Sequence, residues 1–498
     1  MKLFSKKMSM GMLSALLIAS MAACSGKEAN SNKEGTGEGY KNKISIMTTT
    51  HVPEPPTKNS PAWKELEKFT DTEIDITWVL NEYSEKVNIT LASGDLPNIL
   101  MIEDKYPSFV SAVRDGAFWE IGPYLKDYSN LSQANEIALQ NSMIDGKVYG
   151  VYRGRPLGRN GVTIRKDWLK NLGLEIPKTI DEFYNVLKAF TNDDPDGNGK
   201  DDTYGMVVSK YTGPLDIMQI WFGAPNKWGE DANGDLIPDF MTGEYKEALK
   251  FFKKIYDEGL INEDFAVMDP QKWGDPLLNG EAGVIVDVLD RAHRAQEEMM
   301  NANPDLTDPI DVLGAPAPFN LPTLGYAGML TIPKSSVKTE EELKQVLSFI
   351  DKQSEAEAQI IAYNGVEGRH FEMKDGEFTI LSPDNQALHH EYTSFNQFGT
   401  GIPEDRFHAP PVSELREKEA EVMKENEDIV VPNPAVALIS SVYATKGQQL
   451  DNIINDARIQ FIVGQIDEKG LEDAVQLWLN SGGKDYIDEM NEMYQEIK

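Results

Sequence analysis

Apolar and polar positions along this chain keep two rhythms. Lys43-Ile44-Ser45-Ile46-Met47 alternates with period two and predicts a short strand, with a Pro-rich loop from His51 to Pro56 behind it. Pro61 to Phe69 then places Trp63, Leu66 and Phe69 at helical spacing. Asp75 to Leu80 is strand-like, Val87 to Ala92 helical, Asn98 to Ile102 an apolar strand, and Phe109 to Gly116 a helix. This β-α-β-α-β order predicts an α/β lobe with a mostly parallel sheet. Further along, Asp181 to Phe190 and Glu244 to Glu258 are amphipathic helices, and Gly283 to Val288 and Tyr326 to Pro333 are buried-strand runs. Glu340 to Tyr363 reads as one long helix. The chain closes in helices whose apolar face carries Leu450, Ile454, Ile459, Ile462, Leu471, Val475 and Trp478. No internal repeat is visible.

The first residues follow a different pattern. Lys2, Lys6 and Lys7 precede an uncharged apolar stretch from Met8 to Ala23, shorter than the ~20 residues of a membrane span. It ends in Met21-Ala22-Ala23-Cys24, which resembles a bacterial lipobox with Met21 in place of the usual Leu. The sole Cys of the chain is the residue that this chemistry would lipidate. Ser25 to Gly39 holds no large apolar side chain and reads as a flexible tether. The expected location is the extracellular face of the bacterial cell membrane, with a lipid as the only membrane contact.

Composition narrows the function classes. The 498 residues are 40% apolar and 26% charged, as in a globular protein with large cores. The net charge of −33 argues against nucleic acid and anionic lipid as generic partners. A single Cys leaves no internal disulfide framework and no Cys-based zinc site.

One stretch carries explicit chemistry. Residues 193–205 read DDPDGNGKDDTYG and place Asp194, Asp196, Asn198 and Asp202 at positions 1, 3, 5 and 9 of a loop. Gly199 falls at position 6, where the turn needs positive φ, and Lys200 at position 7, where only a carbonyl is used. That is the opening of an EF-hand-type calcium loop, and it predicts a structural Ca²⁺. Position 12 is Gly205, so Asp202 through both oxygens, Asp201 or Thr203 would have to complete the shell. A second acidic turn, Asp231-Ala232-Asn233-Gly234-Asp235, reads as a β-hairpin.

Other candidates are binding groups. Of eight Trp, Trp168 and Trp478 lie on helical faces and read as core. Trp221, Trp228 and Trp273 lie in Gly/Pro/Asn-rich stretches, where they either pack under the loop or line a cleft. Arg153, Arg155 and Arg159 cluster in VYRGRPLGRNG, for pairing with the chain's own carboxylates or for clamping a ligand. His51 sits at the carboxyl end of the first strand, where α/β lobes bind ligands. No G-x-S-x-G, H-E-x-x-H, phosphate-binding loop or Rossmann fingerprint is present, and no catalytic set is expected.

The whole mature chain resembles the bacterial extracellular solute-binding lipoproteins of carbohydrate ABC importers (family 1), in particular the alginate- and oligosaccharide-binder-like subfamily. The resemblance runs in order through LASGDLPNIL (91–100), DGKVYGVYRGRP (145–156), IRKDWLKNLGLEIPKTIDEFYNVLKAF (164–190) and DPDGNGKDDTYG (194–205). It continues through EYKEALKFFKKIYDEGLINEDFA (244–266), YNGVEGRHF (363–371) and IQFIVGQID (459–467). The family's calcium loop maps onto Asp194, Asp196, Asn198, Lys200 and Asp202, with Thr203 where some relatives carry a further Glu ligand.

The resemblance implies an α/β, two-lobed, periplasmic-binding-protein-like (type II) clamshell with extra helices. Residues 1–23 would be a signal peptide and 24–40 a lipidated Cys and tether. Residues 41–155 with about 322–385 would form the first lobe, and 156–321 with about 386–498 the second, with the calcium loop. An oligosaccharide would bind between the lobes, with His51, Trp63, Arg153, Arg155, Trp221, Trp228 and Trp273 facing it. Implied partners are that sugar and the transmembrane subunits of an ABC permease, for a monomeric chain that is not an enzyme. The alternative is a secreted carbohydrate-active enzyme, a hydrolase or a calcium-dependent lyase.

Overall fold

The fold is given by a computed structural model, which describes residues 40–374, 377–383, 385–403 and 413–498. The lipobox, Cys24 and the tether lie outside the described residues. The strands are β1 (Asn42–Thr49), β2 (Thr72–Val79), β3 (Ile99–Ile102), β4 (Gly150–Gly154), β5 (Asn160–Arg165) and β6 (Tyr204–Met206). They continue as β7 (Trp228–Glu230), β8 (Leu236–Pro238), β9 (Ala282–Val288), β10 (Ile310–Leu313) and β11 (Tyr326–Thr331). Among the described residues no helix is long and apolar enough to cross a membrane.

Two sheets organise the body. The first has the order β2-β1-β3-β11-β4 and the second β10-β5-β9-β6. β1 pairs in parallel with β2 from Asn42↔Thr72 to Thr49↔Val79, and with β3 through Ile46↔Ile99. The alternation in β1 places Ile44 and Ile46 inside, and the fully apolar Ile99–Ile102 is buried throughout, as expected of a central strand. β11 then inserts antiparallel between β3 and β4. In the second sheet β5 runs antiparallel to both β9 and β10, and only β6 and β9 are parallel.

Each sheet has its own core. The first gathers Ile44, Ile46, Leu66, Ile102, Tyr152 and Met329, the second Val162, Ile164, Trp168, Phe183, Phe252 and Val286. Residues from 386 onward were expected with the second sheet. Instead Tyr392, Phe395, Phe398 and Ile402 enter the first core. The reason is aromatic packing: Phe395 meets Trp63 edge-on at 5.7 Å and Trp78 at 6.0 Å. The expected helix 340–363 is two helices, Glu340–Gln353 and Ala356–Asn364. Ser354 ends the first, and its hydroxyl is 2.6 Å from Thr400 Oγ1. The turn at Asp231 joins β7 to β8, with Asp231 Oδ1 accepting from the Asn233 and Asp235 amides at 2.8 and 3.0 Å.

The chain passes between the sheets at 155–159 and again at 314–325, and these two passages are fastened together. Thr323 donates from its amide to Leu157 O at 2.9 Å and from its hydroxyl to Pro156 O at 2.8 Å. Asn160 donates to Leu321 O and Asn320 to Asn160 O, both at 2.9 Å. The helix Glu414–Glu427 braces the pair through Asn426, whose Nδ2 lies 2.9 Å from both Gly158 O and Asn160 O. Only glycine fits at 158, because a Cβ there would lie 2.0 Å from Met423 O.

Candidate functional site

The strand directions fix where a ligand would meet both sheets. β1, β3 and β4 share one direction, so their carboxyl ends lie together where the chain leaves β4. β5 begins on that side and is antiparallel to β9 and β10, so the carboxyl ends of β6, β9 and β10 also turn toward the passages. Open α/β sheets bind ligands beyond strand carboxyl ends. Here both sheets present that edge to one shared zone.

The first wall carries His51, Arg153 and Arg155. His51 is exposed in the loop after β1. Arg153, next to last in β4, donates to Ala327 O at 2.6 Å and to Asn396 O and Gln397 Oε1 at 3.2 Å each. Its Nε is buried without a partner among the described residues. Desolvation lowers its guanidinium below the usual value. Arg155 is exposed, and its guanidinium has no hydrogen-bond partner among the described residues.

The second wall is built from β6, β9 and the turns that follow them. Tyr211, 49% exposed, stands edge-on to Trp273 at 5.9 Å. The Arg291 guanidinium lies over the Trp273 ring at 4.7 Å and pairs with Asp287 at 3.3 Å. Burial raises the Asp287 carboxyl, against the pull of Arg291. Asp290 feels desolvation too, but hydrogen bonds and charge from Arg159 hold its carboxyl below the usual range.

The loop 194–202 is wound as its spacing suggested, with positive φ at Asp194, Gly197 and Gly199. Asn198 N donates to Asp194 Oδ1 and Asp196 Oδ1 at 3.1 and 3.2 Å, and Asn198 Nδ2 to Asp196 Oδ2 and Asp202 Oδ1 at 2.7 and 3.1 Å. The side chains of Asp196, Asn198 and Asp202 therefore converge, with Asp194 held by the Gly199 amide at 3.1 Å. Among the described residues no group of three or more His, Cys, Asp or Glu forms a ready cage for a metal. The residues that could hold a cation are Asp194, Asp196, Asn198, Asp202 and the carbonyl of Lys200. Thr203 is turned away: it is buried, and its hydroxyl donates to Phe190 O at 2.9 Å.

A model of the bacterial extracellular solute-binding proteins matches residues 49–360. The chain belongs to this family. It is 52% identical over 497 residues, 97% of this chain and 98% of the relative, to lipoprotein LipO of Bacillus subtilis (strain 168). It is 37% identical over 494 residues, 96% of each chain, to the polygalacturonan/rhamnogalacturonan-binding protein YtcQ of the same organism. Among solved structures, the EF-hand mutant of the Streptococcus pneumoniae ABC-transporter substrate-binding protein FusA, in complex with fructo-nystose, superposes with a TM-score of 0.61. That match has 22% identity and covers 91% of this chain and 99% of that one. The fold is accordingly the two-lobed α/β fold of solute-binding proteins, and the family consists of substrate-binding proteins, not enzymes.

Three expected binding residues, Trp63, Trp221 and Trp273, are packed away within this family fold. Trp63 and Trp221 are each 2% exposed and belong to the two cores, Trp63 against Phe395 and Trp221 edge-on to Phe183 at 5.4 Å. Neither presents a face to solvent. Trp273 is in the second wall but buried beneath Arg291, so the outward ring is Tyr211. Trp228, 7% exposed, stands edge-on to Tyr486 at 5.2 Å. It lines a groove of about 810 Å³ whose other side includes Lys105, Asn141 and Leu324. Tyr211, Asp287, Asp290 and Arg291 were not singled out in the sequence. Their only signal is position: each follows or ends a strand run at its carboxyl side.

Proposed function

We propose that this chain is the substrate-binding component of an ABC importer, taking up an oligosaccharide between its two sheets and delivering it unaltered to the membrane permease. The observation that carries the reading is the convergence of strand carboxyl ends from both sheets on one fastened double passage. A ligand seated there touches both bodies, so its binding energy differs between open and closed forms, and closure follows. On the first side Arg155 and His51 would meet the sugar, with Arg153 bracing the wall behind them. On the second, Tyr211 would stack on it above Trp273, with Asp287 and Arg291 taking hydroxyls. Residues 41–155 with 322–402 would form one jaw, and 156–321 with 413–498 the other.

Three further assignments complete the reading. Lipid on Cys24 would hold the chain at the outer face of the membrane, in keeping with the relative named a lipoprotein. The chain would work as a monomer with the transmembrane permease subunits. A structural Ca²⁺ would sit on Asp194, Asp196, Asn198, the Lys200 carbonyl and Asp202; the existence of an EF-hand mutant of FusA supports this.

The test is a thermal-shift screen of galacturonan, rhamnogalacturonan and fructan oligosaccharides. A bound sugar raises stability by RT ln(1 + [L]/Kd). Stabilisation with the recovered sugar intact supports the reading. No stabilisation by any of them, or shortened sugar in the recovered material, contradicts it.

A further inference from the structure

A second cavity lies behind the second wall, between the helix Gly213–Trp221 and the C-terminal helices Ser441–Ile462 and Lys484–Ile497. Its volume is about 210 Å³. A single water needs only about 10–15 Å³ on the same measure, so there is room for a solute.

The floor of this cavity is polar. Arg458, 4% exposed, donates from Nη1 to Asp216 Oδ1 at 2.6 Å and from Nη2 to Asn455 Oδ1 at 3.3 Å. Gln219 donates to Asp239 Oδ2 at 2.9 Å. Two buried atoms of this floor, Arg458 Nε and Gln219 Oε1, have no hydrogen-bond partner among the described residues. Native structures rarely leave such groups unmet without a ligand, ion or water in view.

The walls are aromatic. Tyr443 stacks on Tyr486 at 5.0 Å with the planes 29° apart, and Trp228 and Trp478 flank the same ring at 5.2 and 6.4 Å. Apolar ring faces beside paired carboxylate, guanidinium and amide groups are what the two faces and hydroxyl rim of a pyranose require. Charge refines the choice. Asp216, Asp239 and Asp451 outnumber Lys227 and Arg458 around the cavity, which disfavours an anionic sugar. Entry is available, because Asp216, Gln219, Lys227 and Trp228 also line the 810 Å³ groove.

We propose that this cavity is a second carbohydrate subsite, opening onto the groove that Lys105 and Leu324 also line and distinct from the Tyr211–Trp273 wall, which accepts one neutral hexopyranose unit. The ligand class rests on the oligosaccharide reading above, and the experiment separates the two.

The chain has eight Trp, each with one indole N–H resonance. The full secreted chain, labelled with ¹⁵N-Trp and assigned through single Trp→Phe variants, is titrated with methyl α-D-glucopyranoside, methyl β-D-galactopyranoside and galacturonate. One of the neutral glycosides shifts the Trp228 and Trp478 signals with a Kd on the order of 1 mM while Trp273 stays still. Galacturonate binds there at least about tenfold more weakly. Tyr443→Ala weakens the neutral glycoside by a similar factor, and an unchanged sugar-free spectrum shows that the variant is folded. The proposal is overturned if neither Trp228 nor Trp478 responds, if Trp273 alone responds, or if folded Tyr443→Ala binds as the parent does. An oligosaccharide that stabilises the protein while Trp228 and Trp478 stay silent removes this subsite and leaves the broader function standing.

Discussion

Arg159 and Asp290 are joined by two hydrogen bonds of 2.8 Å, from Nε to one carboxylate oxygen and from Nη2 to the other. That pairing commits one of the three clustered arginines to the protein itself. Arg153 is committed to the carbonyls of Ala327 and Asn396. Arg155 alone keeps an exposed guanidinium beside the passage. Arg155→Ala should lower sugar affinity about tenfold with the melting temperature unchanged, the size of one charge-assisted hydrogen bond. Arg159→Ala should do the reverse, costing about 1–2 kcal/mol of stability because Asp290 loses two hydrogen bonds and keeps the one from Arg294 Nη2 at 3.4 Å. Calorimetric titration and melting of both variants distinguish the roles, and an Arg155→Ala variant that binds normally contradicts the assignment.

Trp63 and Tyr211 make a second contrast. Trp63→Ala removes a ring packed against Phe395 and should destabilise by about 3–5 kcal/mol. Tyr211→Ala removes a half-exposed ring and should weaken binding with little loss of stability. Denaturant melts and titration calorimetry on the two variants check this. Equal losses of stability would mean that Tyr211 is a packing residue.

These contrasts mark what the sequence made legible. The first three strands and their helices follow from local periodicity, because each buries its own apolar face. The placement of β11 between β3 and β4 does not, since a pairing so distant along the chain leaves no local trace. Trp221 lies in a Gly/Pro-rich neighbourhood yet is the last residue of the helix Gly213–Trp221, and the helix face turns it into the core. Phe395 and Phe398 enter the first core for a similar non-local reason. Tyr211 in Ser-Lys-Tyr-Thr-Gly has no distinguishing pattern, and its value comes from standing beyond the end of β6. The turn at Gly199 was readable because its place in the Asp/Asn spacing calls for the positive φ that it adopts.

The oxygen loop gives a direct expectation. If Ca²⁺ binds Asp194, Asp196, Asn198 and Asp202, EGTA lowers the melting temperature of the parent protein. Asp196→Ala starts at that lower value and no longer responds to calcium or EGTA. Thr203→Val keeps the calcium response, since that hydroxyl is bonded to Phe190 O. Scanning calorimetry with and without EGTA is the measurement, and a melting temperature indifferent to both changes contradicts the metal site.

Asp239 sets a pH dependence. Desolvation pushes its carboxyl from the ordinary 3.8 up to about 6, against Lys227, the Phe240 amide and Arg458. The folded state therefore holds this proton more tightly than the unfolded one. Its stabilising contribution is full below 3.8 and is lost as pH rises through about 6. Asp239→Asn removes the titration, and Gln219, whose Oε1 has no partner among the described residues, can turn to accept from the new amide. The variant should gain on the parent by about 2 kcal/mol between pH 4 and 7. A stability difference that stays flat across that range, measured by denaturant melts, contradicts it.

The most direct test of the two-jawed account is small-angle X-ray scattering of the intact protein, alone and saturated with an oligosaccharide that stabilises it. A ligand gripped from both sides draws the two bodies together, and the radius of gyration falls. Identical scattering with the sugar fully bound would mean that it sits on one body only, and the account would be wrong.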